Sequence, residues 1–392
     1  MDLQLTERHV KFRDELRTWL RANLSRPWRE ELRDPRATED SLMEVRRKWQ
    51  RQLYEAGYLG MDWPREWGGR GATAVEGAIF EDELARADAP QILNFLGINL
   101  LGPALIHHGG EAQRRRFLPP MLAADEIWCQ GFSEPGAGSD LASLRTSAVV
   151  DGDDFVLNGQ KIWTTFGPWA DWIFVLARTD AADRHGGISF ILCKLDTPGV
   201  TVRRLRQITG ESEFGEVFFE DARVPRENLV GQIGEGWRIA MTVLAYERGG
   251  LALAYATRFG RDLAHLAAAC KEHGRTDAAT REKLGRLVVE NEVMRANGIR
   301  SLANFADGKV PGPESSIEKL YWSEFDKRFR ETALDMLGPG GQLLRTSSDA
   351  RTDVDWAREF LWSRAGTIYS GSSEIQRNII AKRVLNLPTE GR

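Results

Sequence analysis

The feature that most constrains this chain is a change in its hydrophobic period. Up to about Leu141 the apolar residues recur at helical spacing, about 3.6 residues. From there to Arg223-Val224-Pro225 they fall into short runs with a period of about 2, and after Gly231–Gly236 the helical spacing returns. A chain that reads helices, then strands, then helices belongs to the α+β class. Three segments are expected: an N-terminal helical domain over 1–125, a middle β domain (barrel or sandwich) over 126–230, and a C-terminal helical bundle over 231–392.

In the first segment Phe12, Leu16, Trp19, Leu20 and Leu24 share one helix face. Leu42, Val45, Trp49 and Leu53 form a second stripe, stopped at Gly57. Further helices are expected over Val75–Ala87, Ala89–Gly110 and Glu111–Ala124. Ala89–Gly110 carries no Asp, Glu, Lys or Arg, but Asn94, Asn99 and Pro103 interrupt it. It reads as a buried helix, since a membrane span needs about 20 predominantly apolar residues. His107-His108, before Gly109-Gly110, reads as that helix's end.

The second segment predicts strands at Ala148–Val150, Phe155–Leu157, Trp172–Arg178, Ile188–Leu192, Val200–Arg206 and Val217–Phe219. Turn residues separate them, and Asn158-Gly159 reads as a hairpin turn. In the third segment Trp237–Lys271 predicts one helix, about 50 Å long at about 1.5 Å per residue. Helices over Ala279–Phe305, Pro313–Leu337 and Ser373–Leu385 follow, with Ser373-x-x-Gln376 as a capping box for the last.

The formal charge of −4, from 53 basic and 57 acidic residues, offers no basic face for nucleic acid. Cys129, Cys193 and Cys270 are widely spaced and read as reduced thiols of a cytoplasmic protein, not a disulfide framework or a zinc site. The charged start, MDLQLTERHVKFRDEL, lacks the apolar core of a signal peptide.

Trp128–Asp140 reads WCQGFSEPGAGSD. Gly136 and Gly138 permit positive φ and close approach of backbone to a ligand. The Ser133 and Ser139 hydroxyls both donate and accept. Such a loop suits a flat, polar-edged ring and a phosphate, although the same residue types also make plain surface turns. The order of residues closely resembles the flavin-contacting signature of the acyl-CoA dehydrogenases. Lys161-Ile162-Trp163-Thr164-Thr165 resembles that family's second flavin segment. Gly371-Ser372-Ser373-Glu374-Ile375-Gln376-Arg377-Asn378 resembles its third.

This resemblance runs almost end to end. It implies a C-terminal four-helix bundle and a noncovalent FAD between the β domain and that bundle. An acyl-CoA substrate and an electron-transfer flavoprotein or similar acceptor are implied as well. The implied assembly is a homotetramer or an α2β2 tetramer with a related subunit. By motif position, Ser133 and the backbone of Phe132 match the flavin-ring contacts. Ser139 matches a residue near the pyrophosphate and the substrate thioester. Trp163 matches the aromatic beside the ring, and Thr165 the hydroxyl near N5. Ser372 and Glu374 match contacts at the adenine end. Leu337-Gly338-Pro339-Gly340-Gly341 resembles the family's glycine turn, so Gly338 is taken as a cofactor contact, with Asp335 where an amide is usual. The customary Arg-x-x-Phe-Gly segment is absent, and His273-Gly274-Arg275-Thr276-Asp277 stands in that region.

Abstraction of a proton beside a thioester carbonyl requires a carboxylate over the α-carbon. Many family members carry that glutamate just before the third motif. Here Tyr369-Ser370 stands there, and the resemblance leaves this pair as substrate contacts. A minority place the base on the long helix directly before an arginine, and Glu247-Arg248 matches that location. The implied activity is therefore FAD-dependent α,β-dehydrogenation to a trans-2-enoyl-CoA, with Glu247 as base and Arg248 orienting local backbone. Two alternatives stay open: an oxidase or monooxygenase on the same fold, and a non-catalytic subunit that completes a partner's site.

Overall fold

A computed structural model of the chain describes residues 5–24, 31, 34, 36–247, 252–306, 312–344, 347 and 354–388. The chain forms two compact units. One comprises Met1–Ala37, Ala72–Ala89 and Arg248–Arg392, the other Thr38–Gly71 and Pro90–Glu247.

The first unit is helical, with α1 (Glu7–Asn23) and, numbered in chain order below, α3 (Ala74–Arg86). Thr6 caps α1 by accepting from the His9 N–H, and Phe12, Leu16 and Leu20 are buried along the expected face. Trp19 of the same stripe stays only half-buried. Thr73 and Glu76 form a capping box on α3. Two ion pairs, Arg8–Glu76 and Arg17–Glu83, join these helices. The second unit holds α2 (Glu39–Glu55), α4 (Gly102–His108), α5 (Glu111–Leu122) and the sheet. A π turn over Gly97–Leu101 leads into α4. Gly102 is required by contact: a Cβ there would lie 1.9 Å from the buried Trp63 ring. The helix ends at His108, as expected. No described helix is long and apolar enough to cross a membrane.

Among the described residues eight strands form one sheet, in the order β6-β7-β3-β2-β4-β5-β8, with β1 beside β4. They are β1 (Trp128–Gly131), β2 (Ser147–Asp151), β3 (Asp154–Thr165), β4 (Trp172–Arg178), β5 (Ile188–Lys194), β6 (Val200–Leu205), β7 (Phe214–Pro225) and β8 (Leu229–Val230). Buried residues at alternate positions of β2, β3 and β7 pack with β4 and β5 into one core. β1 and β8 carried no clear alternation and are additions to the expected set.

One expectation is overturned. Asn158-Gly159 is not a hairpin turn; it lies inside the 12-residue β3. The hairpin closes instead at Gly152, between the paired Asp151 and Asp154. At Gly159 the pairing with β7 shifts register, and φ is 148°. A Cβ there would stand 2.7 Å from the Thr146 Cα, so glycine serves close backbone approach rather than a turn. Asn158 is used at the bulge, where its side chain accepts from the Asp221 N–H and donates to the Asp221 carboxylate.

Past the sheet come α6 (Gly236–Glu247) in the second unit and α7 (Ala252–Glu272), α8 (Ala278–Ala306), α9 (Ser315–Leu337), α10 (Trp356–Gly366) and α11 (Ser373–Ile379) in the first. The single helix expected over Trp237–Lys271 is described as α6 and α7; the residues between lie outside the described ones. Helix α10 was not foreseen. A helical core of Phe259, Leu266, Phe325, Phe329 and Trp356 packs α7, α9 and α10 together.

Candidate active site

Strand β1 delivers the first motif. It runs parallel to β4 and ends at Gly131. The buried Phe132 ring then meets Phe174 and Phe190 edge-on at 5.8 and 6.1 Å. Glu134 and Ala137 exchange two backbone hydrogen bonds of 3.0 Å, which closes a tight turn. Ser139 lies exposed just beyond it. Gly136 and Gly138 differ from expectation, because neither is among the positive-φ residues. Instead, a Cβ at either would meet nothing within 4 Å among the described residues. Their backbone is open to an approaching ligand without any strained turn.

The turn is fastened from below. The Lys161 ammonium, fully buried, donates to the Glu134 carboxylate at 2.8 Å and to the Phe132 carbonyl at 3.1 Å. The same carboxylate accepts from the backbone N–H groups of Arg145 at 2.7 Å and Thr146 at 2.8 Å. Burial pushes the Glu134 carboxyl up, but Lys161 and these donors outweigh it and hold the group below its ordinary value. Burial pulls the Lys161 ammonium down to about 8 against the attraction of Glu134. Both residues stand inside the sequence motifs, but nothing in their spacing pairs them. The available signal was a charged residue at an inward position of a strand.

The Ser133 carbonyl accepts from the Ile162 N–H at 2.9 Å, so the first motif is tied directly to the second. Between Lys161 and Thr164 the β3–β7 pairing shifts again, and Trp163 takes φ 60°. This bulge turns the indole outward, 57% exposed, edge-on to Phe214 at 6.0 Å. Phe166 is also left-handed, φ 56°. Such non-glycine conformations cost about 1–3 kcal/mol each and cluster at functional sites. Thr164 is buried, its hydroxyl without a partner among the described residues, and Thr165 is half-buried. Phe132 and Ser133 are thus tied to Lys161 and Ile162, the residues that lead along β3 into Trp163 and Thr165.

The other candidates stand in the helical unit. Ser372 caps α11 by accepting from the Ile375 N–H. The expected box on Ser373 is therefore corrected by one residue. Gln376 does not return to a cap N–H. Its amide donates to the carbonyls of Ser370 at 2.8 Å and Gly371 at 3.1 Å. Helix α11 is also shorter than expected, giving way to a π turn over Ile380–Val384. Ser370 is left-handed at φ 54° and Gly371 follows at 84°. The Ser372 hydroxyl holds the exposed Glu374 carboxyl below its ordinary value. Tyr369 is partly exposed, its ring 6.1 Å from that of Trp322. Gly338 takes φ 63°, and a Cβ there would lie 2.9 Å from the Arg275 guanidinium. In sequence Arg275 marks only a departure from the family pattern; the structure sets its charge beside the glycine turn. Asp335, in place of the usual amide, pairs with Lys283.

Glu247 is the last residue of α6. Its side chain, and all of Arg248, lie outside the described residues. The helix leading to it is fastened by groups that sequence reasoning left unused. His107 meets the Tyr246 hydroxyl at 3.0 Å, and His108 meets Thr242 at 2.8 Å and Arg238 at 3.1 Å.

These residues fit the cofactor that the motifs imply. A flavin presents oxygen and nitrogen acceptors along its edges, and the Ser133 and Thr165 hydroxyls and open glycine backbone form a matching set of donors. The Thr164 hydroxyl, without a partner among the described residues, sits within the same segment. The exposed indole of Trp163 supplies an apolar face for the ring.

Comparison with known proteins identifies the family. Residues 6–125 match the family model described as acyl-CoA dehydrogenase, N-terminal domain, 129–222 the middle domain, and 234–385 the C-terminal domain. The acyl-CoA dehydrogenase IpdE1 of Mycobacterium tuberculosis is 43% identical, over 97% of this chain and 98% of that protein. The Tcur3481-Tcur3483 steroid ACAD superposes with a TM-score of 0.88 at 31% identity, covering 100% of both chains. The ChsE4-ChsE5 complex from Mycobacterium tuberculosis gives 0.86 at 30% identity, again with 100% of both chains covered.

Proposed function

The chain belongs to the acyl-CoA dehydrogenase family and is an oxidoreductase acting on acyl-CoA; from that premise we propose that it is an FAD-dependent α,β-dehydrogenase with Glu247 as its base. The observation that carries the cofactor reading is the junction of two motifs, Ser133 to Ile162 and Lys161 to Phe132, beside an outward-turned Trp163.

When bound, FAD supplies the acceptor for the hydride that leaves the substrate β-carbon. Ser133, Thr165 and the backbone of Phe132 would orient the ring, and Trp163 would cover it. Gly338, Ser372 and Glu374 would hold the AMP half. Ser139 would meet the thioester end of the substrate, and Tyr369 and Ser370 the region near its α-carbon. Glu247, as carboxylate, takes the α-proton. The electron pair left on the α-carbon forms the new C=C bond as hydride departs from the β-carbon, which gives the trans-2-enoyl-CoA. Arg248 would orient the local backbone. Serine cannot fill this role, so Ser370 is not a second base.

The acyl group we propose is bulky, of the steroid side-chain type, because a steroid ACAD matches this chain over its full length. A tetramer is proposed, α2β2 with a related subunit, on the model of the two-component ChsE4-ChsE5 complex; four copies of this chain are the other outcome of a light-scattering measurement. An electron-transfer flavoprotein would reoxidise it.

The test is anaerobic bleaching of the bound flavin by a panel of acyl-CoA thioesters. Glu247→Gln should lower the reduction rate by about 10² to 10⁴, the usual scale of a general base, with FAD content near normal. Ser370→Ala should keep most of the rate. Flavin reduction by Glu247→Gln at the parent's rate would place the base elsewhere.

A further inference from the structure

The histidine pair at the end of α4 plays no part in the chemistry above. Yet it holds the helix on which the proposed base stands. Arg238, Thr242 and Tyr246 are spaced by four along α6, so they form one stripe. All three are bonded to the pair: Tyr246 Oη to His107 Nε2 at 3.0 Å, Thr242 Oγ1 to His108 Nε2 at 2.8 Å, and Arg238 Nη1 to His108 Nδ1 at 3.1 Å. Arg238 is itself fixed by Glu235 at 2.8 Å. The contacts span two turns of helix and end one residue before Glu247.

These contacts settle the state of His108. A guanidinium has donors and no acceptor, so Nδ1 must be the bare, accepting nitrogen. Nε2 then carries the proton and donates to Thr242. His108 is therefore neutral in one tautomer. Protonation would place an N–H against the Arg238 guanidinium, exchanging a hydrogen bond for repulsion between like charges.

We propose that His107 and His108 are positioning residues: they fix the rotation and axial position of α6, and so the placement of Glu247, only while His108 is neutral. The proposal rests on the reading of Glu247 as base. The groups facing the pair all bear on it. Arg238 and His107 disfavour a charge on His108, as does its partial burial, which is the largest influence, while Glu235 favours one. Asp62, from the loop before α3, faces His107. Arg114 of α5 is engaged with the Ile106 carbonyl. Together they hold His108 below the ordinary histidine range, so the clamp is closed at neutral pH and opens in acid.

The experiment uses the FAD-loaded assembly and two readouts against pH. One is the rate of flavin reduction by substrate. The other is hydrogen exchange of the amides over 240–247 without substrate. His108→Gln keeps a neutral donor and acceptor but cannot titrate. In the parent, the rate should fall in acid by two protonations, those of Glu247 and His108, and exchange over 240–247 should speed up through the second. In His108→Gln the second protonation should vanish from both readouts. Tyr246→Phe and Thr242→Val should each lower kcat about tenfold with little change in KM, the scale of one lost positioning hydrogen bond. An acid limb and an exchange profile identical in parent and His108→Gln overturn the clamp. The two readings fail separately: a fully active Glu247→Gln removes the base, while the exchange profile still judges the clamp.

Discussion

Two buried charge clusters, one under the candidate flavin loop and one in the helical core, solve the same problem in opposite ways. In the sheet, one carboxylate faces one ammonium. Glu134 accepts from Lys161 and from two backbone N–H groups, so its oxygens are well supplied with donors. In the bundle, one guanidinium faces three carboxylates. Arg330 donates to Asp326 at 2.9 Å and Asp262 at 2.7 Å and lies 3.8 Å from Glu359, while its Nη1 finds no partner among the described residues. The Phe329 ring beneath it, 4.8 Å away, adds a cation–π contact. The outcome follows the donor supply. Glu134 is held below its ordinary value, whereas burial drives Asp326 up to about 6, Arg330 being too widely shared to prevent it. Burial alone therefore does not set the sign of a carboxyl shift; the number of donors per carboxylate does.

The sharpest way to break this comparison is to remove each cation. Arg330→Met should be the more damaging change. It leaves Asp262, Asp326 and Glu359 facing one another, and stranding a buried charge costs about 3–5 kcal/mol. The expected result is a large drop in the denaturation midpoint, recovered in part by acid, which neutralises the carboxyls. A loss that does not lessen between pH 7 and pH 5 would contradict the account.

Lys161→Met should cost somewhat less, about 3 kcal/mol, because Glu134 keeps its two backbone donors. Its second effect separates the clusters. The change releases the Phe132 carbonyl, and with it the loop that carries Ser133, so FAD retention should fall even where the protein stays folded. Arg330→Met should unfold the chain before it loosens the flavin. Equal FAD content per folded molecule in both variants would show that Lys161 is only structural.

How far the sequence disclosed these features depends on the range of the interaction behind them. Period is local, and it placed β4 to the residue and most helices to within a few. The motif segments were legible because their residues are contiguous. Asn158-Gly159 misled because the same local preference for unusual φ serves a turn or a bulge, and only the approach of Thr146 decides between them. The Glu134–Lys161 pair and the contacts of His107 and His108 are 27 residues or more apart in sequence. No spacing rule points to partners so far apart. The outward turn of Trp163 likewise depends on a register shift against β7 that its own segment does not encode.

The smallest expected effect concerns pH. Asp326 is raised in the folded chain to about 6, above an unfolded value of about 3.9. The folded state thus holds this proton more tightly. The resulting stabilisation is complete below about pH 4 and is lost as pH rises through about 6. Glu134 has the opposite sign: lowered in the fold, it stabilises above the ordinary carboxylate range and loses that contribution as pH falls. Asp326→Asn isolates the first of these. The amide oxygen can still accept from Arg330 Nε, but the group no longer titrates. Relative to the parent, the variant should gain stability from pH 4.5 to pH 7, on the order of 2 kcal/mol. Denaturant titrations at several pH values measure that difference, since groups outside this cluster titrate alike in both proteins. A difference that stays flat over this range would mean that Asp326 is ionised throughout, and that one guanidinium is enough for three carboxylates after all.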